Sequence, residues 1–386
     1  MAFSAHAFWR AGFRPFFAFA CLSGAILPAA WMLFYTGVAV PPAGPLLPVQ
    51  WHAHEMLYGF GWAVMGGFLL TASKNWVGIR GYHGRSLVFL AAAWLLDRLC
   101  MLAAGHLPPL LFLLGNNLFL VACIAMLAWT LLRHRRNDSF RDNYFFLLVL
   151  PLFIVAKTLL LNPEYFRLGV DMTLALYRVA FLIMFERTLT QFMRNVFQVG
   201  ILRHAGLDFG IKATAVALVG AGFLPAGAAA ALDLLLVLLL GIRFAGWKPA
   251  LAVRKLEIGI MYLGYLCLVL QLLVDASARL GFSPWLGSAS VHLFGLGVIG
   301  VVVPAMIVRI SKGHTGRKVQ FESGDRSVLW IMILGLLARV AAPQLWPAAY
   351  LAWLAVAALC WFAAFAWLSW RSIPFLLQPR VDGRDG

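Results

Sequence analysis

The sequence predicts an all-α fold: a polytopic transmembrane helical bundle of about twelve spans, forming a single integral membrane domain over residues 1–386. Three observations predict it. Hydrophobic residues make up 62% of the chain and charged residues only 12%, where a soluble domain carries roughly 25%. Apolar runs of about 20 residues recur from end to end, the length that crosses a hydrocarbon core about 30 Å thick. The basic residues fall in alternate connections between those runs.

The predicted spans lie near 16–38, 54–72, 87–104, 109–132, 144–161, 172–190, 211–226, 228–246, 257–275, 288–308, 327–342 and 348–370. The first apolar run exceeds the roughly 7–15 residues of a signal-peptide core, so it reads as a span. Pro41, Pro42, Pro45 and Pro48 stiffen the uncharged connection that follows. Arg133, His134, Arg135, Arg136 and Arg141 form a basic stop after the fourth span, and the longest connection on that side runs over 191–210. Spans seven and eight are nearly pure Ala, Leu, Val and Gly with Asp233, and read as packing helices. His54 with Gly59 and Gly61 is echoed faintly by His292 with Gly295 and Gly297, too weakly to carry a repeat argument.

A net charge of +16 invites a nucleic-acid reading, and the placement of the charge excludes it. The amino-terminal tail and every second connection hold nearly all the Lys and Arg. The opposite connections and the span ends beside them hold only Arg167, Arg279 and Arg339. Positive residues mark cytoplasmic loops, so both termini are expected in the cytoplasm and the chain in a bacterial inner membrane. The five cysteines all fall inside predicted spans at unrelated spacings and read as buried, inert thiols.

Ionisable groups in lipid are costly and mark functional positions by default. Five places stand out. Trp51-His52-Ala53-His54-Glu55-Met56 opens the second span. Copper and haem iron both accept imidazole. On a helix His52 and His54 diverge by about 200° and cannot share an ion. In an extended segment they share a side and could chelate one. His52 and Glu55 would share a helix face, as would His54 and Tyr58. His292, alone in an apolar stretch, matches His54 in expected depth. Asp97, Arg98, Lys157 and Arg178 are charges in the outer halves of spans three, five and six. They read first as structural ion pairs, and the arginines could also clamp carboxylates. Glu186 beside Arg187 reads as a membrane-edge salt bridge. Arg10, Arg14, Arg309, His314 and Arg317 form a basic group at the inner side, suited to anionic lipid headgroups or to an anionic cofactor held from below. His6, His83, His106, His134 and His204 read as solvated surface.

Arg10-Ala-Gly-Phe-Arg14-Pro-Phe-Phe, Trp51-His-Ala-His54-Glu-Met, Gly67-Phe-Leu-Leu-Thr71-Ala with Asn75-Trp76, His292-Leu-Phe-Gly295, and Gly313-His-Thr-Gly-Arg317 together resemble the NnrS family, in register from residue 10 to 317. That resemblance implies a haem- and copper-containing bacterial membrane protein linked to nitric oxide, denitrification and protection against nitrosative stress. It implies haem b and copper as cofactors. His52, His54 and His292 become the metal-ligand candidates and His54, His292 and His314 the haem-side ones. Arg10, Arg14, Arg98, Arg178 and Arg309 become cofactor-binding candidates. The partners implied are nitric oxide, membrane lipids and an electron donor that the sequence does not identify. Were the protein an oxidoreductase, the reaction implied is reduction of nitric oxide to nitrous oxide, with Glu55 and Asp97 carrying protons. Two readings compete: a proton-coupled secondary transporter, suggested by twelve helices with both ends inside, and a factor that handles haem or copper for another protein.

Overall fold

The computed structural model describes residues 6–42 and 44–383, and all regular structure among them is helical. Eleven helices are long and apolar enough to cross a membrane. With the more charged Arg85–Leu102 they are numbered here as α1 (Phe13–Tyr35), α2 (Pro48–Val77), α3 (Arg85–Leu102), α4 (Pro109–Arg133), α5 (Tyr144–Leu161) and α6 (Phe166–Phe197). There follow α7 (Ala205–Phe223), α8 (Ala226–Ala245), α9 (Leu256–Arg279), α10 (Ala289–His314), α11 (Ser323–Leu345) and α12 (Pro347–Leu377). Each expected span therefore has its helix. α3 falls short of the others in apolarity because its 18 residues include Arg85, Asp97 and Arg98. The chain is a multi-pass α-helical membrane protein.

Two compact units form. The first comprises residues 1–169, 306–322 and 361–386, and the second residues 170–305 and 323–360.

In the first unit, glycine sets how closely α1 meets α2. A Cβ on Gly67 would come within 2.7 Å of Phe16 Cβ, and one on Gly12 within 2.7 Å of Leu70 Cβ. The same crossing lets the Phe13 amide donate to Thr71 Oγ1 at 2.8 Å, satisfying one orphan donor of the α1 terminus. Small residues at helix crossings are how membrane helices gain van der Waals contact when lipid offers no hydrophobic drive. Two motifs far apart in sequence, around residues 12 and 67, thus have one steric cause.

α2 begins with Pro48, whose fixed φ suits a first helical turn. Gln50 anchors the start: its Oε1 accepts from the Leu47 amide at 2.9 Å and its Nε2 donates to the Leu160 carbonyl at 3.0 Å. From Glu55 to Gly61 the helix widens into a π-turn before resuming as an α-helix at Trp62. In the second unit α10 does the same, with α-helix to Phe294, a π-turn over Gly295–Gly300, then α-helix again. π-turns are rare and recur at functional sites. The faint echo between His54 and His292 therefore corresponds to a shared local backbone device.

Candidate functional site

Residues 48–54 are helical, so the helical alternative for the two histidines is the one adopted. His52 and His54 point to different sides, and the extended chelate considered from sequence is corrected. His52 stacks on Trp31, rings 4.4 Å apart and 15° from parallel. His54 is fully buried and looks into the first unit.

Around His54 lies a buried network drawn from α2, α3, α4 and α5. His54 Nδ1 is 3.1 Å from Glu55 Oε1, and its Nε2 is 3.3 Å from Asn116 Nδ2 and 3.8 Å from Asp97 Oδ1. Asn116 Nδ2 also donates to Asp97 Oδ1 at 2.6 Å. An oxygen there could not pair with a carboxylate, so the amide nitrogen must face Asp97. Its second N–H then donates to His54 Nε2. His54 is accordingly neutral, with its proton on Nδ1 held by Glu55. Arg98 Nη2 donates to Asp97 Oδ2 at 2.6 Å, and its Nε lies 3.3 Å from Glu55 Oε2. Lys157 Nζ lies 3.3 Å from Asp97 Oδ2 and donates to the Asn116 carbonyl. Two carboxylates thus face two cations, and the group is neutral overall with His54 uncharged.

Backbone and aromatic neighbours hold this arrangement. Gly59, in the π-turn, has no side chain because Arg98 occupies its place: a Cβ there would lie 2.1 Å from Arg98 Nη1. Trp94 Nε1 donates to the Gly59 carbonyl at 3.0 Å. Tyr58 lies beside His54 with rings 5.6 Å apart, and Lys157 Nζ sits 5.6 Å from the Tyr58 ring centre. The Tyr58 hydroxyl donates to the Phe153 carbonyl at 3.2 Å. Three buried atoms of the network, Asn116 Oδ1, Arg98 Nε and Arg98 Nη1, have no hydrogen-bond partner among the described residues.

The outer-half charges read together from sequence therefore separate. Asp97, Arg98 and Lys157 meet around His54, while Arg178 belongs to a different network in the second unit. There Arg178 Nη2 donates to Gln271 Oε1 at 2.6 Å and lies 3.5 Å from Asp275 Oδ2. Ser290 also donates to Asp275, and Arg279 Nε pairs with Asp233 Oδ2 at 3.0 Å. His292 lies close by in the chain, with its Nδ1 2.9 Å from the Ser288 carbonyl and 3.0 Å from Ser288 Oγ. Arg339 donates to the same hydroxyl at 2.9 Å.

Glu186, read from sequence as a membrane-edge salt bridge beside Arg187, pairs with Arg203 at 2.6 Å, Lys212 at 3.1 Å and Arg243 at 3.4 Å, with Asp208 joining through Arg203 at 3.1 Å. Spans seven and eight are correspondingly more than packing helices, since Asp208, Lys212, Asp233 and Arg243 are all buried in ion pairs.

The basic residues at the ends of α1 and α10 do meet. His314 lies against Phe13, rings 5.4 Å apart, and Arg380 Nη1 donates to the His314 carbonyl at 2.9 Å. Arg14 is buried beside them. Arg309 lies 5.7 Å from the Phe321 ring centre, and Arg10 is exposed. Of the histidines read as surface, two act locally as caps: His6 accepts from the Phe8 amide and His204 from the Leu207 amide, both at 3.2 Å. His83 and His134 line a cavity in the first unit. All five cysteines are free and buried.

Sequence reasoning missed Asn116 and Gln271. Uncharged amides cost less in lipid than charges and drew no attention, although each is the hinge of its network. An amide among apolar residues within a span was the available signal.

No group of three or more His, Cys, Asp or Glu side chains is gathered around a common point among the described residues. The donor set for a copper ion is therefore not assembled here. One imidazole ligand is a different matter. A metal-bound histidine characteristically donates its second N–H to a carboxylate, which fixes tautomer and orientation. His54 with Nδ1 beside Glu55 has that form, while its Nε2 lies 3.3 Å from Asn116 Nδ2 and 3.8 Å from Asp97 Oδ1.

Fold and site define a multi-pass helical membrane protein that keeps ion-paired charge inside its spans. A family profile described as NnrS protein matches residues 7–380, and the chain belongs to the NnrS family. It is thus a membrane protein linked to the nitric oxide response. No curated protein matches it.

Proposed function

We propose that the protein binds nitric oxide at haem carried by His54 and protects against nitrosative stress. The observation that carries this reading is the buried His54–Glu55 pair, with Nδ1 3.1 Å from Glu55 Oε1 and Nε2 facing Asn116 Nδ2 at 3.3 Å and Asp97 Oδ1 at 3.8 Å. Haem, when bound, would supply the binding of nitric oxide, and His54 is the residue that would hold it. The donor set does not suit copper as it stands, so the chemistry proposed here rests on His54.

The remaining residues have separate parts. Glu55 holds Nδ1–H and makes the imidazole a stronger donor. Arg98 balances Glu55 and Asp97 at once, keeping the pair neutral in lipid. Asn116 would swing its second N–H away from Nε2 when that atom takes another partner, while its 2.6 Å bond to Asp97 remains. Were the protein to reduce two nitric oxide molecules to nitrous oxide and water, two protons and two electrons would be consumed. Lys157 Nζ and Asp97 would hold those protons, and the electron donor would be external. Nitric oxide is small and apolar enough to arrive through lipid, so no aqueous pore is needed.

The test is the purified protein's haem and copper content together with its visible spectrum before and after reduction and nitric oxide addition. Bound haem whose band shifts with nitric oxide is expected. A folded protein that is colourless and metal-free would refute the reading. A weakly held, readily exchanged haem without gas response would instead favour a haem-handling factor.

A second reading is favoured by one observation: Glu186 with Arg203, Lys212 and Arg243 forms a buried network in the second unit, remote in sequence from His54. Such groups can couple proton movement to transport. Proton flux driven by a substrate in proteoliposomes, and lost in Glu186→Gln, would support that transporter reading.

A further inference from the structure

Arg14 is the second residue of α1 and is 0% exposed. Only its Nη1 is used, donating to the Leu376 carbonyl at 3.0 Å and the Gln378 carbonyl at 2.6 Å. Its Nε and Nη2 have no hydrogen-bond partner, and no carboxylate pairs with it among the described residues. A fully buried guanidinium without a counter-ion is costly, and proteins rarely leave one unbalanced.

The surroundings add positive charge. Arg10, Arg317 and Arg380 all lie in electrostatic range of Arg14. Lys74 lies in range of Arg14, Arg80 and Arg380. Arg317 stands 4.4 Å from the Phe375 ring centre, donates to Gln378 Oε1 at 2.7 Å and leaves its buried Nη1 without a partner. The nearby acids are committed: Asp382 pairs with Arg380 at 2.6 Å, and the exposed Glu322 pairs with Arg371 at 2.6 Å and Lys312 at 3.6 Å. Lys74 also lines a cavity of about 400 Å³ with Arg80, His83, His134, Tyr82 and Trp129. That volume suits a small ligand or a headgroup.

Four separate stretches of chain build this end of the first unit: the start of α1, the end of α2, the segment after α10 and the tail after α12. Their cations outnumber their acids, and the most buried of them has two donors idle. We propose that Arg14, Lys74 and Arg317 form an oxyanion site that takes a phosphate group, carried by an anionic phospholipid or free in solution. Arginine forks match phosphate oxygens, and a dianion would offset charge that one carboxylate would not. This site is independent of the cofactor reading, since it shares no residue with the His54 network.

The test uses full-length protein in two arms, with chloride at matched ionic strength as control. In one, nanodiscs of phosphatidylcholine with or without phosphatidylglycerol are compared, and native mass spectrometry reads the lipid retained after detergent extraction. In the other, inorganic phosphate is titrated onto delipidated protein and the melting temperature followed. Wild type is expected to retain phosphatidylglycerol selectively or to be stabilised by several degrees by millimolar phosphate. Retention alone assigns the phosphate to lipid, and stabilisation alone assigns it to a soluble anion. Arg14→Gln and the more exposed Arg317→Gln are each expected to weaken the response about tenfold. If neither arm responds in wild type, or if both variants respond as wild type does, the site does not exist.

Discussion

Asp97→Asn is the most informative single perturbation of the His54 network. Asp97 accepts from Asn116 and Arg98 at 2.6 Å and faces Lys157 at 3.3 Å, in a place with 1% exposure. Among the described residues, neutralising it leaves two cations against Glu55 alone, and Lys157 keeps no acid within 4 Å. Removing one partner of a buried ion pair costs about 3–5 kcal/mol, because the other charge stays buried. A neutral hydrogen bond inside a membrane protein is worth only about 0.6 kcal/mol on average. The two magnitudes are far enough apart to decide the issue. Asp97→Asn and Lys157→Met should each lower unfolding free energy by about 3–5 kcal/mol, measured by denaturant titration in mixed micelles. The double variant restores the charge balance and should recover at least half of the larger single loss. Single losses near 1 kcal/mol, or a double variant at the sum of its parents, would refute the claim that charge pairing governs this site.

Further outcomes follow from the same geometry. Gly59→Ala drives a methyl against Arg98, moves that guanidinium off Glu55, and should cost about 1–3 kcal/mol in the same titration. Gly67→Ala forces α1 from α2 at Phe16, and a loss of similar size is expected, with faster proteolysis near residue 12. Glu186→Gln removes the carboxylate that Arg203, Lys212 and Arg243 share, and should destabilise by about 3 kcal/mol or more. Reporter fusions after residue 383 and within residues 38–50 should report opposite sides of the membrane, the first cytoplasmic. The same side for both would overturn the charge-based topology.

Helix positions were legible because a span needs only length and apolarity, which composition displays directly. α3 shows the limit: its expected position is right, yet Arg85, Asp97 and Arg98 make it polar, and their partners explain how it is tolerated. Local pairings were legible too. His54 with Tyr58 follows from four-residue spacing, and Asp97 with Arg98 neutralises locally as expected. Pairings between distant helices were not. Nothing in the order of residues links Glu186 to Arg243, or Asp97 to Asn116 and Lys157, because helix contacts depend on rotation about each axis. The backbone at 52–54 was undecided by residue type alone and turned on Pro48 starting a helix that Gln50 ties to α5. Motifs around residues 12, 67 and 313 stood apart in sequence, and their meeting at one end of the first unit is a tertiary fact.

The most direct test of the central claim is the nitric oxide difference spectrum of reduced protein in His54→Ala beside His52→Ala. His54 lies inside the network and His52 stacks outside it on Trp31. Wild type and His52→Ala should give the same shifted haem band, and His54→Ala should lose haem or the shift. An unaltered band in His54→Ala would contradict the account and move the haem to another residue.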